Sequence, residues 1–365
     1  MADRIRLGII GASPTVGWAY RSHLPAIAAS PEFELTGVCT TRMETAEESK
    51  KLYGARLAFD DYHTMLAHPE IDAVAVVLRV PTHYQITKDA LNAGKHVYTE
   101  WPLGKTTEEA TELAALAKEK GVRVIVGLQA RAAPAILHMK QLVADGYVGE
   151  MLSCSMRLIR GGVLERVSGR TWQKDVELGA NTLTIAAGHS IDALRFVAGE
   201  FGEVSAIVST QVDQWYETDT DTMKDVTSPD NILLNGRLAN GAVVSVHVAV
   251  NPFAGSGYVM EIYGRKGTLI ATGDDSPQIG DVFLQGAQGS DKLEDIEVPS
   301  NLTNVLEGMP SGPPMNVGQM YYQFGEAIRG KDADYPDFET AVDLHRLIDS
   351  IRLASGESRS VATTG

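Results

Sequence analysis

The stretch IRLGIIGASPTVGWAYRSHLPAI, residues 5–27, decides the fold of the N-terminal part of the chain. Residues 5–11 form a nearly continuous apolar run that ends in glycine, as expected for a strand buried on both faces of a parallel sheet. Residues 17–30 have the apolar spacing of a helix. A glycine after the strand permits a tight turn, and the following helix offers unpaired N–H groups to a pyrophosphate. The stretch therefore predicts a dinucleotide-binding turn.

The glycine pattern of this turn differs from G-x-G-x-x-G. Gly11 holds the first position, Ser13 stands at the second, and Gly17 comes one residue late for the third. The motif alone is weak, because a structural turn also explains glycines next to a strand. Its place between a first strand and a helix favours dinucleotide binding. We expect the lengthened turn to hold a pyrophosphate on Gly11 and the helix after it.

Strand-like and helical segments alternate through the next hundred residues. Further buried strands are predicted over 33–40, 72–81, 95–100 and 122–129. The intervening helices are expected to end near Tyr53, Gly94 and Gly121. This alternation indicates right-handed βαβ units and a doubly wound parallel sheet. We assign residues 1–128 to an NAD(P)-binding Rossmann domain.

The pattern changes after about residue 150, where strand-like runs are separated by turns such as Asn240-Gly241 and Lys266-Gly267. Most neighbouring runs can pair antiparallel, so residues 129–365 are predicted to form an α/β domain with a large, mostly antiparallel open sheet. This domain would bind substrate and mediate oligomerisation. Its helices are expected over 182–198, 316–329 and 338–354, and the polar segments 213–229 and 286–315 are predicted to be loops.

Composition excludes several classes of function. A chain of 365 residues with 47 acidic and 32 basic side chains has a net charge of −15, which disfavours nucleic acid as a direct partner. Cys39 and Cys154 lie in apolar strand-like runs and are interpreted as buried hydrophobic residues in a reducing compartment, without a metal site. No apolar run approaches the length of a membrane span or a signal peptide, so a cytoplasmic location away from membranes is expected.

The end of the second predicted strand bears on the choice of dinucleotide. An acidic residue there would bind the ribose 2′-hydroxyl, whereas a hydroxyl with an arginine accommodates a 2′-phosphate. Here Thr40 is followed by Arg42 two residues later. This slightly favours NADP over NAD. Alternatively, Arg42 is a solvated residue at a helix start and either cofactor binds.

Three further motifs carry a family resemblance: GKHVYTEWPLG (94–104), VPTHYQIT (80–87) and GHSIDALRF (188–196). With them the chain resembles the glucose-fructose oxidoreductase, inositol dehydrogenase and rhizopine-catabolism (Gfo/Idh/MocA) family over nearly its whole length. The family motif A-G-K-H-V-x-x-E-K-P is matched from Ala93 to Pro102 except at Trp101, which replaces the lysine. The chain is most similar to the branch of the fungal galactose-gene repressor. That branch is non-enzymatic, binds a nicotinamide dinucleotide, and shares both this tryptophan and the lengthened turn.

The resemblance, together with the end of the second strand, implies a set of cofactor-binding residues. They are Gly11, Ser13, Pro14, Val16, Gly17, Trp18, Thr40, Arg42, Leu78, Arg79, His83, Glu100, Trp101, Pro102, Gln129 and Trp172. For His83 a core role is an equal alternative to contact with the cofactor ribose.

The family's Lys/Asp/His catalytic set is largely replaced. Trp101 stands for the lysine and Ile185 for the aspartate, so that only His189 is retained. Hydride removal from a carbinol needs a group that accepts the hydroxyl proton and a group that polarises the oxygen. We interpret His189 and Lys174 as the candidate catalytic residues. The alternatives are a capping or core histidine and a solvated surface lysine.

Substrate contacts are expected from six residues: Trp101, Arg131, Arg160, Trp172, Lys174 and His189. Trp101 is either a stacking wall for a sugar or nicotinamide ring, or a residue that fills the volume of a missing substrate group.

Three functions remain open from the sequence. The first is an NAD(P)-dependent oxidoreductase that acts on a sugar, cyclitol or similar polyhydroxy compound with a non-standard acid/base set. The second is a non-enzymatic dinucleotide-binding transcriptional regulator or sensor like the galactose repressor. The third is a redox-neutral, NAD-dependent elimination or deglycosylation. By resemblance, we expect a homodimer or homotetramer that forms through the C-terminal sheet.

Overall fold

Residues 5–10 form the strand that the opening stretch predicts, and every residue of it except Arg6 is buried. The computed structural model describes residues 4–305, 308–331 and 334–357. Contacts divide the chain into two units, one of 1–134 with 299–343 and the other of 135–298 with 344–365. The segment 299–343 thus groups with the first unit, although the sequence assigned it to the second domain.

The strands are numbered in chain order. They are β1 (Ile5–Ile10), β2 (Phe33–Cys39), β3 (Leu57–Phe59), β4 (Ala73–Val76), β5 (His96–Glu100), β6 (Val124–Gly127), β7 (Met151–Arg160), β8 (Glu165–Arg166), β9 (Phe201–Ser209), β10 (Gln214–Glu217), β11 (Thr222–Asp225), β12 (Asn231–Leu238), β13 (Val243–Val250), β14 (Gly257–Gly264), β15 (Gly267–Gly273), β16 (Phe283–Gln288) and β17 (Glu294–Ile296).

The α-helices are numbered in the same way. They are α1 (Leu24–Ala28), α2 (Met43–Tyr53), α3 (Tyr62–Ala67), α4 (His83–Asn92), α5 (Thr107–Lys120), α6 (Pro134–Ala144), α7 (Ser168–Thr171), α8 (Gly188–Ala198), α9 (Pro313–Ile328) and α10 (Phe338–Glu357). Among the described residues, no helix combines the length and the apolar content needed to cross a membrane.

The first unit is built on a parallel sheet with the strand order β3-β2-β1-β4-β5-β6. This is the order of a doubly wound dinucleotide-binding fold, in which ligands bind at the carboxyl ends of the strands where the order reverses. The reversal lies between β1 and β4. The predicted Rossmann architecture is confirmed.

Helix α9 packs against one face of the first unit. Tyr321 and Phe324 of α9 are fully buried with Phe33 of β2, and the rings of Phe33 and Tyr321 lie 5.3 Å apart in an edge-to-face arrangement. The same cluster contains Leu24 of α1 and Leu7 of β1. This shared apolar core explains why 299–343 belongs to the first unit.

The second unit contains a mixed sheet in the order β17-β16-β15-β14-β7-β13-β12-β9. Adjacent strands are antiparallel except for β7 and β13, which are parallel. The predicted turn at Asn240-Gly241 connects β12 to β13. A smaller sheet has the order β11-β10-β8. The large, mostly antiparallel sheet is therefore confirmed.

Two local predictions are wrong. The segment 213–229 is not a loop, because it contains the hairpin β10–β11, in which Trp215 and Glu217 are buried on one side. The segment 286–315 contains the end of β16, all of β17 and the start of α9, while 306–307 lie outside the described residues. Polar composition concealed these short strands, because one buried side chain in two leaves little apolar pattern over four residues.

The first helix is also less regular than the sequence predicts. A π-helical turn spans Ala19–His23 before α1, and the N–H of Leu24 donates to the carbonyl of Ala19. Pro25 follows directly and has no N–H to offer the carbonyl of Arg21. The wider turn upstream of this proline thus replaces the regular helical hydrogen bonds.

Candidate functional site

The predicted nucleotide turn lies at the carboxyl end of β1. Gly11 has a φ of +96°, and its N–H donates to the carbonyl of Cys39 at 2.9 Å. A Cβ at Gly11 would lie 2.2 Å from the carbonyl oxygen of Val77. Only glycine fits at this position, since both the backbone conformation and the close approach of the segment after β4 exclude a side chain.

The rest of the turn leads into the first helix. The hydroxyl of Ser13 accepts a hydrogen bond from the N–H of Val16 at 3.4 Å. Pro14 is buried, whereas Val16 and Gly17 are exposed, and Gly17 has a φ of +92°. Trp18 is half-buried and packs on the core of the first unit. An exposed backbone next to a glycine turn suits the approach of a phosphate group.

The end of β2 carries the residues expected to select the cofactor. The hydroxyl of Thr40 donates to the carbonyl of Arg42 at 2.8 Å, and the side chain of Arg42 is exposed at the start of α2. The strand β3, which the sequence did not predict, pairs with β2 and ends just before Asp60. Asp60 and Asp61 raise the pKa of the Cys39 thiol, although burial contributes most. The end of β2 therefore has both acidic side chains and the guanidinium of Arg42 near it.

His83 connects the segments that follow β4 and β5. Its Nδ1 lies 2.7 Å from the carbonyl oxygen of Pro102, and its Nε2 lies 3.0 Å from that of Leu78. Burial lowers the pKa of this imidazole, despite the opposing effect of both carbonyls. A neutral ring donates from one nitrogen only, and the shorter distance favours Pro102 as acceptor. His83 thus takes a positioning role, while Leu78 and Arg79 beside it are exposed.

Glu100 ends β5 within a buried polar network. Its Oε1 lies 2.7 Å from Nε2 of His23, and Nε2 of Gln129 donates to both carboxylate oxygens at 2.9 and 2.8 Å. The hydroxyl of Tyr321 lies 2.7 Å from Nδ1 of His23. Gly127 makes room for this carboxylate, because a Cβ there would lie 2.7 Å from Oε2 of Glu100.

Two other predicted residues follow these strands. Trp101 is only 4% exposed, and Arg131 lies half-buried in the short 3-10 helix Gln129–Ala132. Most of the predicted cofactor residues therefore lie at the carboxyl ends of neighbouring parallel strands. This arrangement, with the glycine-only turn after β1, fits a dinucleotide.

The second unit contains a cavity of about 350 Å³. Its polar lining includes Arg160, Arg166, Arg170, Gln173, Asn181 and Asp230, and its apolar lining includes Ile185, Ala186 and Trp215. A volume of this order suits a small ligand. Of the predicted substrate residues, the cavity is lined by Arg160, which forms an ion pair with Asp275 at 2.9 Å.

The two candidate catalytic residues do not line this cavity. His189 is buried in the first turn of α8, one turn after Ile185 of the cavity wall. The Nζ of Lys174 donates to the carbonyl oxygen of Asp225 at 3.3 Å. Trp172, half-buried, begins the short 3-10 helix that also contains Lys174. Their catalytic and binding roles stay predictions.

Several residues around these sites are not predicted from the sequence. Tyr321 is 298 residues from His23 in the chain, so no local pattern connects them. Trp215 lies in the segment predicted as a loop, and alternation of buried and exposed residues over 214–217 was the one indication of a strand. Asp60 was missed together with β3.

Comparison with known proteins identifies both units. Residues 5–128 match the sequence model of the oxidoreductase family with an NAD-binding Rossmann fold, GFO_IDH_MocA. Residues 134–273 match that of the Gal80p C-terminal domain. The dehydrogenase aclE of Aspergillus oryzae is 31% identical over 281 residues, which cover 74% of this chain and 77% of aclE. The chain belongs to the Gfo/Idh/MocA family.

Other members of the Gfo/Idh/MocA family are also similar over most of the chain. The galactose/lactose metabolism regulatory protein GAL80 of Saccharomyces cerevisiae is 28% identical over 298 residues, covering 75% of this chain and 68% of GAL80. The levoglucosan dehydrogenase of Pseudarthrobacter phenanthrenivorans is 27% identical over 291 residues, covering 73% of each chain. The predicted resemblance to the galactose-repressor branch of the Gfo/Idh/MocA family is confirmed.

Solved structures of Gfo/Idh/MocA relatives share the fold. A super-repressor mutant of Gal80p from Saccharomyces cerevisiae has a TM-score of 0.85 at 23% identity, covering 97% of this chain and 96% of the other. A levoglucosan dehydrogenase in complex with NADH and L-sorbose has a TM-score of 0.84 at 23% identity, covering 97% of both chains. The chain thus has an NAD-binding Rossmann domain and the fold of its Gfo/Idh/MocA relatives.

Proposed function

We propose that this protein is an NAD(P)-dependent oxidoreductase that acts on a sugar, a cyclitol or a similar polyhydroxy compound. The observation that carries the proposal is the cavity of about 350 Å³ in the second unit, whose wall at Ile185 and Ala186 is followed one turn later by His189. Relatives named as dehydrogenases, one of them for levoglucosan, support this class of reaction.

His189 is the primary candidate for proton transfer. When bound, the nicotinamide accepts or donates the hydride, and the chain must then move the proton of the carbinol oxygen. His189 retains the position of the family's histidine. Ile185, one turn earlier, cannot orient an imidazole by hydrogen bonding, so the orientation of the ring depends on other contacts of α8. Lys174 is the secondary candidate, because its ammonium is engaged by the carbonyl of Asp225.

The preference between NAD and NADP depends on opposing charges near the end of β2. The exposed guanidinium of Arg42 suits a 2′-phosphate, as the sequence predicts. The exposed carboxylate of Asp60, which follows the neighbouring strand β3, opposes that phosphate. We retain NADP as the slightly favoured cofactor, with NAD as the alternative.

A regulator or sensor is the second candidate function. It is favoured by the tryptophan at the lysine position of the family motif and by the likeness to GAL80. A redox-neutral elimination or deglycosylation that uses transient oxidation is the third.

Self-association through the large sheet is part of the proposal. Ile207 of β9 and Leu233 of β12 are directly paired neighbours, and they are 58% and 41% exposed. An exposed apolar pair on a sheet face suits contact with a second copy of the chain. A homodimer or homotetramer stays a prediction, which light scattering on the purified protein tests. A cytoplasmic location and the absence of direct contact to nucleic acid also stay predictions.

The catalytic proposal is tested with a panel of sugars and cyclitols, NAD and NADP, in both directions. We expect nicotinamide absorbance to change with at least one polyol, and His189→Ala to reduce kcat by about 10² to 10⁴. His63→Ala, which removes an exposed imidazole on α3, is the matched control and should leave kcat unchanged. Tight cofactor binding without turnover supports the regulator instead. Product formation without net absorbance change supports the redox-neutral reaction.

A further inference from the structure

Arg166 carries a charge that no carboxylate balances in the part of the chain that the structure describes. Its guanidinium is half-buried on β8, where Nη1 donates to the carbonyls of Gly162 at 2.6 Å and Glu165 at 3.2 Å. The guanidinium carbon lies 5.0 Å from the centre of the Trp215 ring. These neutral contacts orient the group, but they do not compensate the loss of hydration as a counter-ion does.

Two other arginines line the same cavity. Burial lowers the pKa of Arg166, and the charges of Arg170 and Arg160 lower it further. Arg160 is matched by Asp275 at 2.9 Å, so its charge is largely compensated. Arg170 is exposed in the short helix α7, and its Nη2 donates to the side-chain oxygen of Gln173 at 3.5 Å. The cavity lining therefore brings three guanidinium groups together.

The acidic residues of the cavity lining do not pair with Arg166. The carboxylate of Asp230 is buried and accepts hydrogen bonds from the N–H groups of Gln211 and Val212 and from the side chain of Asn231. Glu165 is exposed, and only its backbone carbonyl accepts a hydrogen bond from Arg166. Neither carboxylate of the lining therefore balances the charge of Arg166.

The cavity lining also contains buried polar atoms without a hydrogen-bond partner. Within the described residues, the buried side-chain atoms of the cavity lining that lack a hydrogen-bond partner are Nε of Arg166, Nδ2 of Asn181 and Nε1 of Trp215. All three are donors. Unpartnered donors beside an arginine without a carboxylate partner match a ligand that supplies acceptors and negative charge.

We propose that this cavity binds the anionic group of a carboxylate- or phosphate-bearing sugar, with Arg166 as its main ligand. The planar guanidinium presents parallel N–H donors that match both groups, and the centre of the Trp215 ring lies 5.0 Å from its central carbon. A cavity of about 350 Å³ accommodates a group of this size with part of a sugar ring. The inference rests on the proposed function, because that function makes the ligand of this cavity a substrate.

Calorimetric titration of the full chain tests the proposal, with and without saturating NADH. The probes are glucuronate, glucose and glucose 6-phosphate, which share a ring and differ in the group at its end. We expect at least one anionic sugar to bind about tenfold or more tightly than glucose, a preference that weakens as salt is added. Glucuronate as the tighter ligand assigns a carboxylate, and glucose 6-phosphate assigns a phosphate.

The variant Arg166→Gln should remove most of this preference. Arg237→Gln is the matched control, since Arg237 lies on β12 of the same unit and is exposed. Arg170→Gln, at an exposed position of α7, keeps the test valid if the first variant unfolds, and it should weaken the preference partially. Equal binding of all three sugars, no binding of any, or an anion preference that persists in Arg166→Gln and Arg170→Gln overturns the proposal.

The outcome is separable from that of the proposed function. Anion-selective binding that Arg166 controls, without turnover of any sugar, supports the cavity assignment and contradicts the oxidoreductase. Turnover of neutral polyols with KM unchanged in Arg166→Gln supports the oxidoreductase and contradicts the cavity assignment.

Discussion

His23 and Glu100 form a buried pair in which Nε2 of the imidazole lies 2.7 Å from Oε1 of the carboxylate. The hydroxyl of Tyr321 lies 2.7 Å from the other ring nitrogen, and burial raises the pKa of this phenol well above its usual value. Tyr321 thus stays protonated and donates to Nδ1, which leaves the proton on Nε2 for Glu100. Glu100, the glutamate of the family motif, is therefore held by His23 and, through His23, by Tyr321 of α9, and not only by its own strand β5.

The first prediction concerns this network. Glu100→Ala should lower the free energy of unfolding by about 1–3 kcal/mol or more, because it leaves the buried donors of His23 and Gln129 without an acceptor. It should also weaken NADH binding, since the segment after β5 loses its anchor. Chemical denaturation and fluorescence titration measure both effects. Glu119→Ala, at an exposed position on α5, is the control. Equal stability of the two variants would show that the network contributes nothing.

The second prediction compares two glycines with positive φ. Gly11→Ala should abolish or strongly weaken NADH binding and lower the melting temperature, because its Cβ would lie 2.2 Å from the Val77 carbonyl oxygen. Gly54 has a φ of +69° and no atom within 4 Å of an added Cβ, so Gly54→Ala should cost only the backbone strain of about 1–2 kcal/mol. NADH affinity should be unchanged in Gly54→Ala. Similar loss of affinity in both variants would argue against a specific role of the turn.

The sequence predicted the fold well where the pattern is long and local. Strand β1 and the glycine after it are a continuous apolar run with one turn residue, and both were found. Strand β3 and the hairpin β10–β11 were missed, because strands of three or four residues with half their side chains in solvent carry little pattern. Because β3 was not predicted, the position of Asp60 near the end of β2 was not predicted either.

The candidate site was harder to predict than the fold. Glu100 and Gln129 were identified by motif, but their partners His23 and Tyr321 come from distant helices that only tertiary packing brings together. In the sequence, the charge of Lys174 and its position before the helix with His189 make it a catalytic candidate. In the structure a backbone carbonyl engages its ammonium, which a sequence does not reveal.

The third prediction concerns cofactor choice. Arg42→Ala should weaken NADPH binding about tenfold, the value of one charge-assisted hydrogen bond, and should leave NADH binding within about twofold. Lys51→Ala removes an exposed charge from the same helix and is the control. Asp60→Asn should change NADPH affinity in the opposite direction. If Arg42→Ala weakens neither cofactor, the predicted preference for NADP is wrong.

The fourth prediction restores the lysine of the family motif. Trp101 is 4% exposed, so Trp101→Lys both removes buried aromatic volume and places an ammonium in a buried position, at a cost of about 3–5 kcal/mol. Trp101→Phe should lose less stability, because it keeps an apolar ring. We expect no gain of polyol turnover in Trp101→Lys, since Ile185 still stands in place of the family's aspartate. Polyol turnover well above that of the unchanged protein, in a stable Trp101→Lys variant, would show that this one position limits the family reaction.

The last prediction follows from the two thiols. Burial raises the pKa of Cys39 and of Cys154 to about 12, and neither forms a disulfide. In the unfolded chain both thiols ionise near pH 8.5, so the folded state binds their protons more tightly. Their contribution to stability is therefore complete below about pH 8.5 and is lost as the pH rises towards 12.

At about pH 8 the native protein should react slowly with a thiol reagent, whereas the protein in denaturant should react at both cysteines within seconds to minutes. Fast labelling of either cysteine in the native protein, at a rate unaffected by NADH, would contradict its burial. In that case, labelling of Cys39→Ser and of Cys154→Ser in separate experiments would show which cysteine reacts, and therefore which unit opens.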